Sequence, residues 1–360
     1  MTDQKRPGAA ISGAVSAGHR LLYLDGWRGI SILTVYLGHF LPLRFIDNGR
    51  MGVELFFVLS GRLMAEILFV ERYPLDLFYR RRIARVWPGM VAFVLVMWLV
   101  FYRPGPLQVH GIDVFSALTL SLNYVCLYLH RMPVLEHVWS LCIEEWAYIL
   151  LGLFALVSRR LQLAPLPIIA VAAAVCAING VIQSAMGLDY YMAYWRTDTR
   201  IASILMATAV YLLIQRREQP MPGWLPILAG FAGILFSLNL FPDAVHYSIG
   251  SLCFSLAVAT IDQAPGWLRQ VLSLGPVRQI GLWSFSLYLW QQPFYKLIHS
   301  APRPMLLAGA VGCGLVSFYG VEQPLRRFLN KRWGAKSAAR LKSAADDDTV
   351  AIGQTTRQEA

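Results

Sequence analysis

The chain has 360 residues, of which 56% are hydrophobic and only 15% are charged, and its formal net charge is +11. A soluble domain usually carries about 25% charged residues. The hydrophobic residues here are also grouped in blocks close to the ~20 residues that cross a bilayer. This composition excludes an ordinary soluble protein and predicts an all-α, polytopic membrane protein. Lys and Arg accumulate in cytoplasmic loops of such proteins, so we expect membrane lipid, and no nucleic acid, among its partners.

The two ends of the chain differ from the rest. Residues 1–20 contain no apolar run, which excludes a cleavable signal peptide, and we expect a flexible cytoplasmic N-terminal tail there. Residues 334–360 are polar and include Asp346–Asp348, a composition typical of a disordered segment. The range 21–333 is then predicted to be one membrane domain, and 334–360 a disordered cytoplasmic C-terminal tail.

Charge placement decides how many apolar blocks cross the membrane. If all of them crossed, Arg159–Arg160 and Arg216–Arg217 would face outside, against the positive-inside rule. The block 112–129 is the most polar, and treating it as a re-entrant or surface segment returns these pairs to the cytoplasm. We therefore predict about 10 transmembrane helices, with both termini cytoplasmic, in the cell inner membrane. The candidate blocks are 22–43, 52–70, 86–102, 112–129, 138–157, 163–186, 200–215, 224–241, 245–262, 279–298 and 303–320.

The first block carries two basic residues within LDGWRGISILTVYLGHF, namely Arg28 and His39. Eleven residues of α-helix turn about 20° past three full turns, so both side chains point the same way, ~16 Å apart along the axis. Ionisable groups at membrane depth indicate function by default. The alternative is structural: an interfacial arginine, paired with Asp25, and a hydrogen-bonded histidine.

The second block, GVELFFVLSGRLM, places Glu54 and Arg62 eight residues apart on one face. Ser60 and Gly61 permit a close approach of helices. A structural pair is as well supported here as a catalytic one.

The segment FYRRRIARVWPGM follows at the predicted cytoplasmic surface. The positive-inside rule accounts for its arginines. The functional alternative is a phosphate clamp made by Arg81, Arg82 and Arg85, because guanidinium groups bind phosphate in bidentate fashion.

The segment EHVWSLCIEEWAYILL places His137, Glu144 and Tyr148 on one helical face, with Glu145 beside them. Two adjacent carboxylates inside a span favour protonation of one of them, which beside a histidine suggests an acid/base pair. The structural alternative is a buried pair between a glutamate and Arg28 or Arg62.

The chain lacks the sequence motifs of several common metal and catalytic sites. The five cysteines lie inside apolar blocks and form no C-x-x-C pair, which argues against a disulfide framework and a zinc site. The chain has no G-x-x-x-x-G-K-[ST], G-x-S-x-G or H-E-x-x-H motif. We therefore expect no metal, no ATPase and no serine hydrolase of the elbow type.

Five segments in this order resemble the acyltransferase-3 family of integral membrane O-acyltransferases. The chain reads LDGWRGISILTVYLGHF, GVELFFVLSGRLM, RRIARVWPGM, HVWSLCIEEWAYIL and FSLYLWQQP, and closes with GVEQPLRRF. The resemblance covers roughly residues 21–330.

The resemblance implies a membrane acyltransferase that takes an acyl group, usually acetyl, from cytoplasmic acyl-CoA and transfers it to a hydroxyl of a sugar or lipid-linked glycan. No permanently bound cofactor is expected. His39 is the expected base or acyl relay, and Arg28 is expected to hold the CoA end or polarise the thioester. Glu144 or Glu145 is expected to orient the histidine. The expected substrate-binding residues are Arg81, Arg82, Arg85, His137, Tyr148 and Gln291.

Three departures of the chain from the family pattern matter. Glu54 replaces an aspartate, Arg62 replaces an apolar residue, and Gln291 replaces the histidine of LWHQP. Trp146 stands beside the paired glutamates, where it is expected to shape the acceptor pocket. Two alternatives stay open, a transporter or flippase and an inactive scaffold of the same fold. Possible acceptors are lipopolysaccharide, exopolysaccharide, a lipo-oligosaccharide and peptidoglycan.

Overall fold

A computed structural model describes residues 21–333. Its regular elements are all helical, and the only β-type contacts in this range are isolated bridges at Ile46, which confirms the all-α prediction. The predicted tails 1–20 and 334–360 lie outside the described residues. In chain order the α-helices are α1 (Leu22–Phe40), α2 (Asn48–Met64), α3 (Leu75–Phe101), α4 (Gly111–Leu118), α5 (Leu122–Tyr128), α6 (Trp139–Leu161), α7 (Pro165–Ala185), α8 (Tyr190–Tyr194), α9 (Thr197–Arg200), α10 (Ala202–Gln215), α11 (Leu225–Phe236), α12 (Asp243–Val245), α13 (Ser251–Ala259), α14 (Gly266–Leu272), α15 (Gly275–Lys296) and α16 (Arg303–Ser317).

Wider or tighter helical turns extend four of these helices. A π-helical segment, Ala65–Val70, continues α2, another, His246–Gly250, leads into α13, and a third, Phe318–Glu322, continues α16. A 3₁₀ turn at Glu136–Val138 runs directly into α6. The turn matters for the site because Glu136 and His137 are placed by it rather than by the regular period of α6.

Five helices within 21–333 are long and apolar enough to cross a membrane, which supports a membrane protein. They are Leu75–Phe101, Glu136–Leu161, Pro165–Ala185, Thr197–Gln215 and Arg303–Trp333. Two shorter apolar helices, Leu225–Phe236 and Asp243–Ala259, fall below the length of a span. The predicted count of ten spans and the predicted orientation of the termini stay predictions.

Helix α7 shows what the bilayer is needed for. Val171, Val175, Ile178 and Ile182 repeat at helical spacing and are all exposed. A continuous apolar face of this kind is unfavourable in water. Lipid tails cover it without cost, because the backbone polar groups are satisfied within the helix.

The polar block 112–129 does not form one long helix. It is divided into α4 and α5, and Leu120 between them has a φ of 60°. At about 1.5 Å per residue, neither piece is long enough to cross a bilayer.

Helix α1 lies in direct backbone contact with its neighbours, and glycines make that contact possible. A Cβ on Gly29 would lie 2.2 Å from the carbonyl oxygen of Val277 in α15, and a Cβ on Gly38 would lie 2.1 Å from the backbone nitrogen of Gly49 in α2. Only glycine permits such an approach of helices. The packing holds α1 between α2 and α15 and thereby positions Arg28 and His39.

Candidate active site

Two cavities meet inside the helical bundle. The first, named here the His39 cavity, has a volume of about 360 Å³, and the second, the Arg28 cavity, about 80 Å³. Val53 and Tyr288 line both of them, so the two spaces share a wall. The polar and aromatic lining of the His39 cavity comprises His39, Asp47, Asn48, Arg50, Glu136, His137, Trp139, Tyr190, Tyr191, Trp195, Asn239, Tyr288, Gln292, Tyr295 and Lys296. The Arg28 cavity is lined by Arg28, Val53, Phe56, Phe57, Leu59, Ser60, Arg82, Arg85, Val86, Ser140, Leu141, Glu144, Ser284, Phe285 and Tyr288.

The imidazole of His39 is held by helix α15 on two sides. Its Nδ1 is hydrogen-bonded to the Oε1 atom of Gln291, and its ring stacks on Tyr295 with 4.3 Å between centroids. A carboxamide oxygen only accepts hydrogen bonds, so Nδ1 donates. The other nitrogen, Nε2, then keeps its lone pair.

A glycine leaves space next to that lone pair. A Cβ on Gly49 would lie 3.4 Å from Nε2 of His39, and Gly49 lines the same cavity. The absence of a side chain here keeps Nε2 open to a molecule in the His39 cavity.

The paired glutamates of α6 bind an arginine of α3. Arg82 donates from Nε to Glu145 at 2.8 Å, and its guanidinium also lies 3.5 Å from Glu144. The same guanidinium stacks over the ring of Tyr148 at 3.8 Å, and Ser60 donates a hydrogen bond to Glu144. We expected a glutamate to orient His39, but Gln291 makes that hydrogen bond. The structural alternative also named the wrong partner, because the arginine is neither Arg28 nor Arg62.

The three arginines of the predicted phosphate clamp separate. Arg82 and Arg85 line the Arg28 cavity, whereas Arg81 is exposed and lies over the ring of Tyr73 at 5.1 Å. Arg28 is also at this cavity, 3.5 Å from Asp25. Adjacent positions on a helix point about 100° apart, which is why Arg81 and Arg82 cannot face the same space.

His137 lies in the His39 cavity rather than beside the glutamates. Its buried ring contacts Phe93 and Tyr288, and neither ring nitrogen has a hydrogen-bond partner within residues 21–333. Tyr288 donates its hydroxyl to the His137 carbonyl at 2.8 Å and lies 2.7 Å from the hydroxyl of Ser140. This places a phenol at the wall that the cavities share.

Arg62 is part of a separate cluster, away from both cavities. It is fully buried and its guanidinium lies 2.8 Å from both carboxylate oxygens of Asp262 and 3.1 Å from Glu66. Tyr23 donates a further hydrogen bond to Asp262 at 2.7 Å. The unusual charge is thus paired, and its contacts are structural.

Glu54 also has a different partner from the one its spacing suggested. It forms a buried ion pair with Arg200, whose guanidinium donates to Ser203 at 2.7 Å and stacks over Tyr247 at 3.9 Å. Arg200 is the first residue of the apolar block 200–215. No local pattern reveals this pair, because its members are 146 residues apart.

The remaining wall of the His39 cavity was not predicted. Glu136 is ion-paired with Lys296 and with Arg131, and Arg131 stacks over the rings of Tyr191 and Trp195. Trp146, which was expected to shape the acceptor pocket, lies on the exposed face of α6 and donates to Leu120. It lines neither cavity.

Comparison with known proteins adds an independent line of support. The chain is 26% identical over 357 residues to the peptidoglycan O-acetyltransferase OatA of Listeria monocytogenes, covering 87% of this chain and 57% of that protein. It is 28% identical over 312 residues to the O-acetyltransferase OatA of Staphylococcus aureus, covering 77% of this chain and 51% of that protein. The chain thus spans about half the length of these relatives. No solved structure matches it.

Residues 21–319 match the family model described as an acyltransferase domain. That range contains both cavities and all of the predicted site residues. The family consists of enzymes that transfer acyl groups other than aminoacyl groups. The chain belongs to the acyltransferase-3 family.

Proposed function

We propose that this protein is a membrane O-acetyltransferase that moves an acetyl group from cytoplasmic acyl-CoA to a hydroxyl of a cell-surface or exported glycan. The observation that carries the proposal is the shared wall at Val53 and Tyr288, with an arginine-lined cavity on one side and a histidine-lined cavity on the other. Transfer of an acetyl group from acyl-CoA requires that this anionic donor and a hydroxyl acceptor meet. Two such spaces in contact satisfy that need.

The Arg28 cavity suits the donor. Arg82 is neutralised by Glu144 and Glu145, whereas Arg85 has no carboxylate within ion-pair distance among the described residues. Guanidinium groups bind phosphate oxygens in bidentate fashion. Arg85, together with Arg28, would therefore attract the phosphates of acyl-CoA, and the small volume of the cavity suits a short acyl group.

The His39 cavity suits a polyhydroxylated acceptor. Its aromatic lining includes Tyr190, Tyr191 and Trp195, and its amides include Gln292. Apolar faces with a few placed polar groups are typical of sites that orient a small ligand. Peptidoglycan is the acceptor named for the Listeria relative, and lipopolysaccharide and exopolysaccharide stay alternatives.

The proposed acetyl transfer takes place where the donor in the Arg28 cavity meets the acceptor in the His39 cavity. Nε2 of His39 takes the proton from the acceptor hydroxyl, whose oxygen attacks the thioester carbonyl. The carbonyl oxygen gains negative charge, which a cation at the Arg28 cavity, such as Arg28, stabilises. The C–S bond breaks, the ester forms, and the CoA thiolate takes up the proton.

Label transfer tests the proposal directly. Inner membranes containing the chain would be incubated with radiolabelled acetyl-CoA and with peptidoglycan, lipopolysaccharide or exopolysaccharide in separate reactions. We expect alkali-labile label on one glycan class. Absence of transfer to every glycan would favour a transporter or an inactive scaffold.

Replacing Arg85 by methionine is expected to raise the KM for acetyl-CoA about tenfold, since a charge-assisted hydrogen bond contributes about 1.5 kcal/mol or more. Arg81→Met is the matched control, because its side chain is exposed and outside the cavity. Initial rates at several donor concentrations measure both. Equal effects of the two changes would contradict the proposed donor cavity.

Replacing Gln291 by alanine is expected to lower kcat about fivefold with little change in the donor KM. The physical reason is that His39 loses the acceptor that fixes its tautomer, a bond whose loss costs about 1 kcal/mol. Gln291→His places a hydrogen-bonding imidazole at this position, so its kcat should be closer to that of the wild type than the kcat of Gln291→Ala is. If Gln291→Ala has the wild-type kcat, Gln291 does not position His39.

A further inference from the structure

Three residues with metal-binding side chains converge away from both cavities. His110 lies at the start of α4, Asp113 is in its first turn, and His130 is in the loop after α5. One donor atom from each lies within 4.8 Å of the other two. Nε2 of His130 is 2.7 Å from Oδ1 of Asp113, and Nδ1 of His110 is 3.4 Å from Oδ2 of Asp113.

The carboxylate of Asp113 has an unusual charge environment. It is fully buried, and within residues 21–333 it has no lysine or arginine at ion-pair distance. Its partners are the two imidazoles and the backbone N–H of His110, at 2.8 Å. A buried carboxylate needs a compensating positive charge. A cation bound between the two imidazoles would supply it.

We propose that His110, Asp113 and His130 bind one divalent transition-metal ion, of which Zn²⁺ fits best. Two imidazole nitrogens and one carboxylate oxygen are ligands that Zn²⁺ prefers, and water commonly completes its tetrahedron. Metal–ligand distances of about 2.1 Å separate neighbouring ligand atoms by about 3.4 Å. Nδ1 of His110 is already at that separation from Oδ2 of Asp113, and Nε2 of His130, 2.7 Å from Oδ1, needs to withdraw by less than about 1 Å, so the ion would lie between the two carboxylate oxygens.

The surroundings allow an ion to enter. His110 is exposed and His130 is partly exposed, so two ligands reach the surface while the third is buried. None of the three lines either cavity, so the ion would not take part in the transfer.

The ion would join two parts of the chain. It would tie the start of α4 to the loop that precedes Glu136 and His137, both of which line the His39 cavity. Arg131, next to the ligand His130, is ion-paired with Glu136. Metal binding would therefore stiffen one wall of that cavity from outside it.

The test uses the full chain in detergent, purified through an affinity tag without histidines and stripped with a chelator. Zn²⁺ is titrated by calorimetry, and Co²⁺ is followed by its visible absorption. We expect one equivalent of Zn²⁺ per chain, tetrahedral Co²⁺ bands, and a higher melting temperature with Zn²⁺. Binding should weaken on acidification, because metal competes with protons for imidazole.

Two single substitutions and a matched control decide the outcome. His110→Ala and His130→Ala should each weaken Zn²⁺ binding at least tenfold and remove the shift in melting temperature. His299→Ala, which changes an exposed histidine in another loop, should leave both unchanged. His110→Ala keeps the backbone N–H that donates to Asp113 but loses the side-chain half of the α4 capping box, so Zn²⁺ affinity is its deciding readout even if His130→Ala fails to fold. Zn²⁺ affinity unchanged in His110→Ala, or no saturable binding to the wild type, would overturn the proposal.

Discussion

Replacing His39 by alanine is expected to lower the rate of acetyl transfer by about 10²–10⁴-fold, the usual contribution of a general base. His39 lines the His39 cavity with Nδ1 held by Gln291 and with space left beside Nε2 by Gly49. Binding of the donor should persist, because Arg28, Arg82 and Arg85 line the other cavity. The measurement is label transfer from acetyl-CoA at saturating acceptor, combined with equilibrium binding of a non-hydrolysable donor analogue.

His299→Ala controls for the loss of an exposed histidine that lines neither cavity. His39→Gln keeps a hydrogen-bonding group but cannot accept a proton at neutral pH, so it should be nearly as slow as His39→Ala. Label transfer at the wild-type rate in His39→Ala would remove His39 from the role of base. Loss of donor binding in that variant would instead indicate damage to the fold.

Replacing Glu54 by alanine is expected to destabilise the protein by about 3–5 kcal/mol, the cost of leaving a buried charge without its partner. Arg200 is 1% exposed and Glu54 is 3% exposed, so water cannot compensate. Thermal unfolding in detergent can be followed with a thiol-reactive fluorogenic dye, because Cys126 and Cys142 are buried until the bundle opens, while the three partly exposed cysteines give the baseline. The variant should unfold at a markedly lower temperature.

A double variant separates charge from packing. Glu54→Leu combined with Arg200→Met replaces the ion pair by apolar side chains, an exchange that is often neutral or stabilising. It should unfold closer to the wild type than either single variant does. If the single and double variants are equally unstable, packing rather than an unpaired charge explains the loss.

The helical period of α1 is a feature that the sequence alone predicts. The spacing of Arg28 and His39 predicted a common direction, and both lie inside the bundle, each at one of two adjoining cavities. The polar composition of the block 112–129 predicted a re-entrant or surface segment, and the structure has two short helices there. Such features depend on neighbours within a few turns, so local rules suffice for them.

The predicted ion-pair and hydrogen-bond partners of the polar side chains were wrong where the partners lie on different helices. Spacing suggested Glu54 with Arg62, and the family resemblance implied that a glutamate of α6 orients His39. The structure instead pairs Glu54 with Arg200, Arg62 with Asp262, Glu145 with Arg82 and His39 with Gln291. A face on one helix specifies a direction, but it does not specify which helix lies opposite.

By itself the sequence determined the helical, membrane character of the protein, the direction of its polar residues and the resemblance to a family. The tertiary structure alone decided which charges meet and how the space divides into two cavities. The physical reason lies in packing. Backbone contacts at glycines such as Gly29 and Gly38 fix how closely and at what register the helices meet, and that register selects the partner of every buried charge.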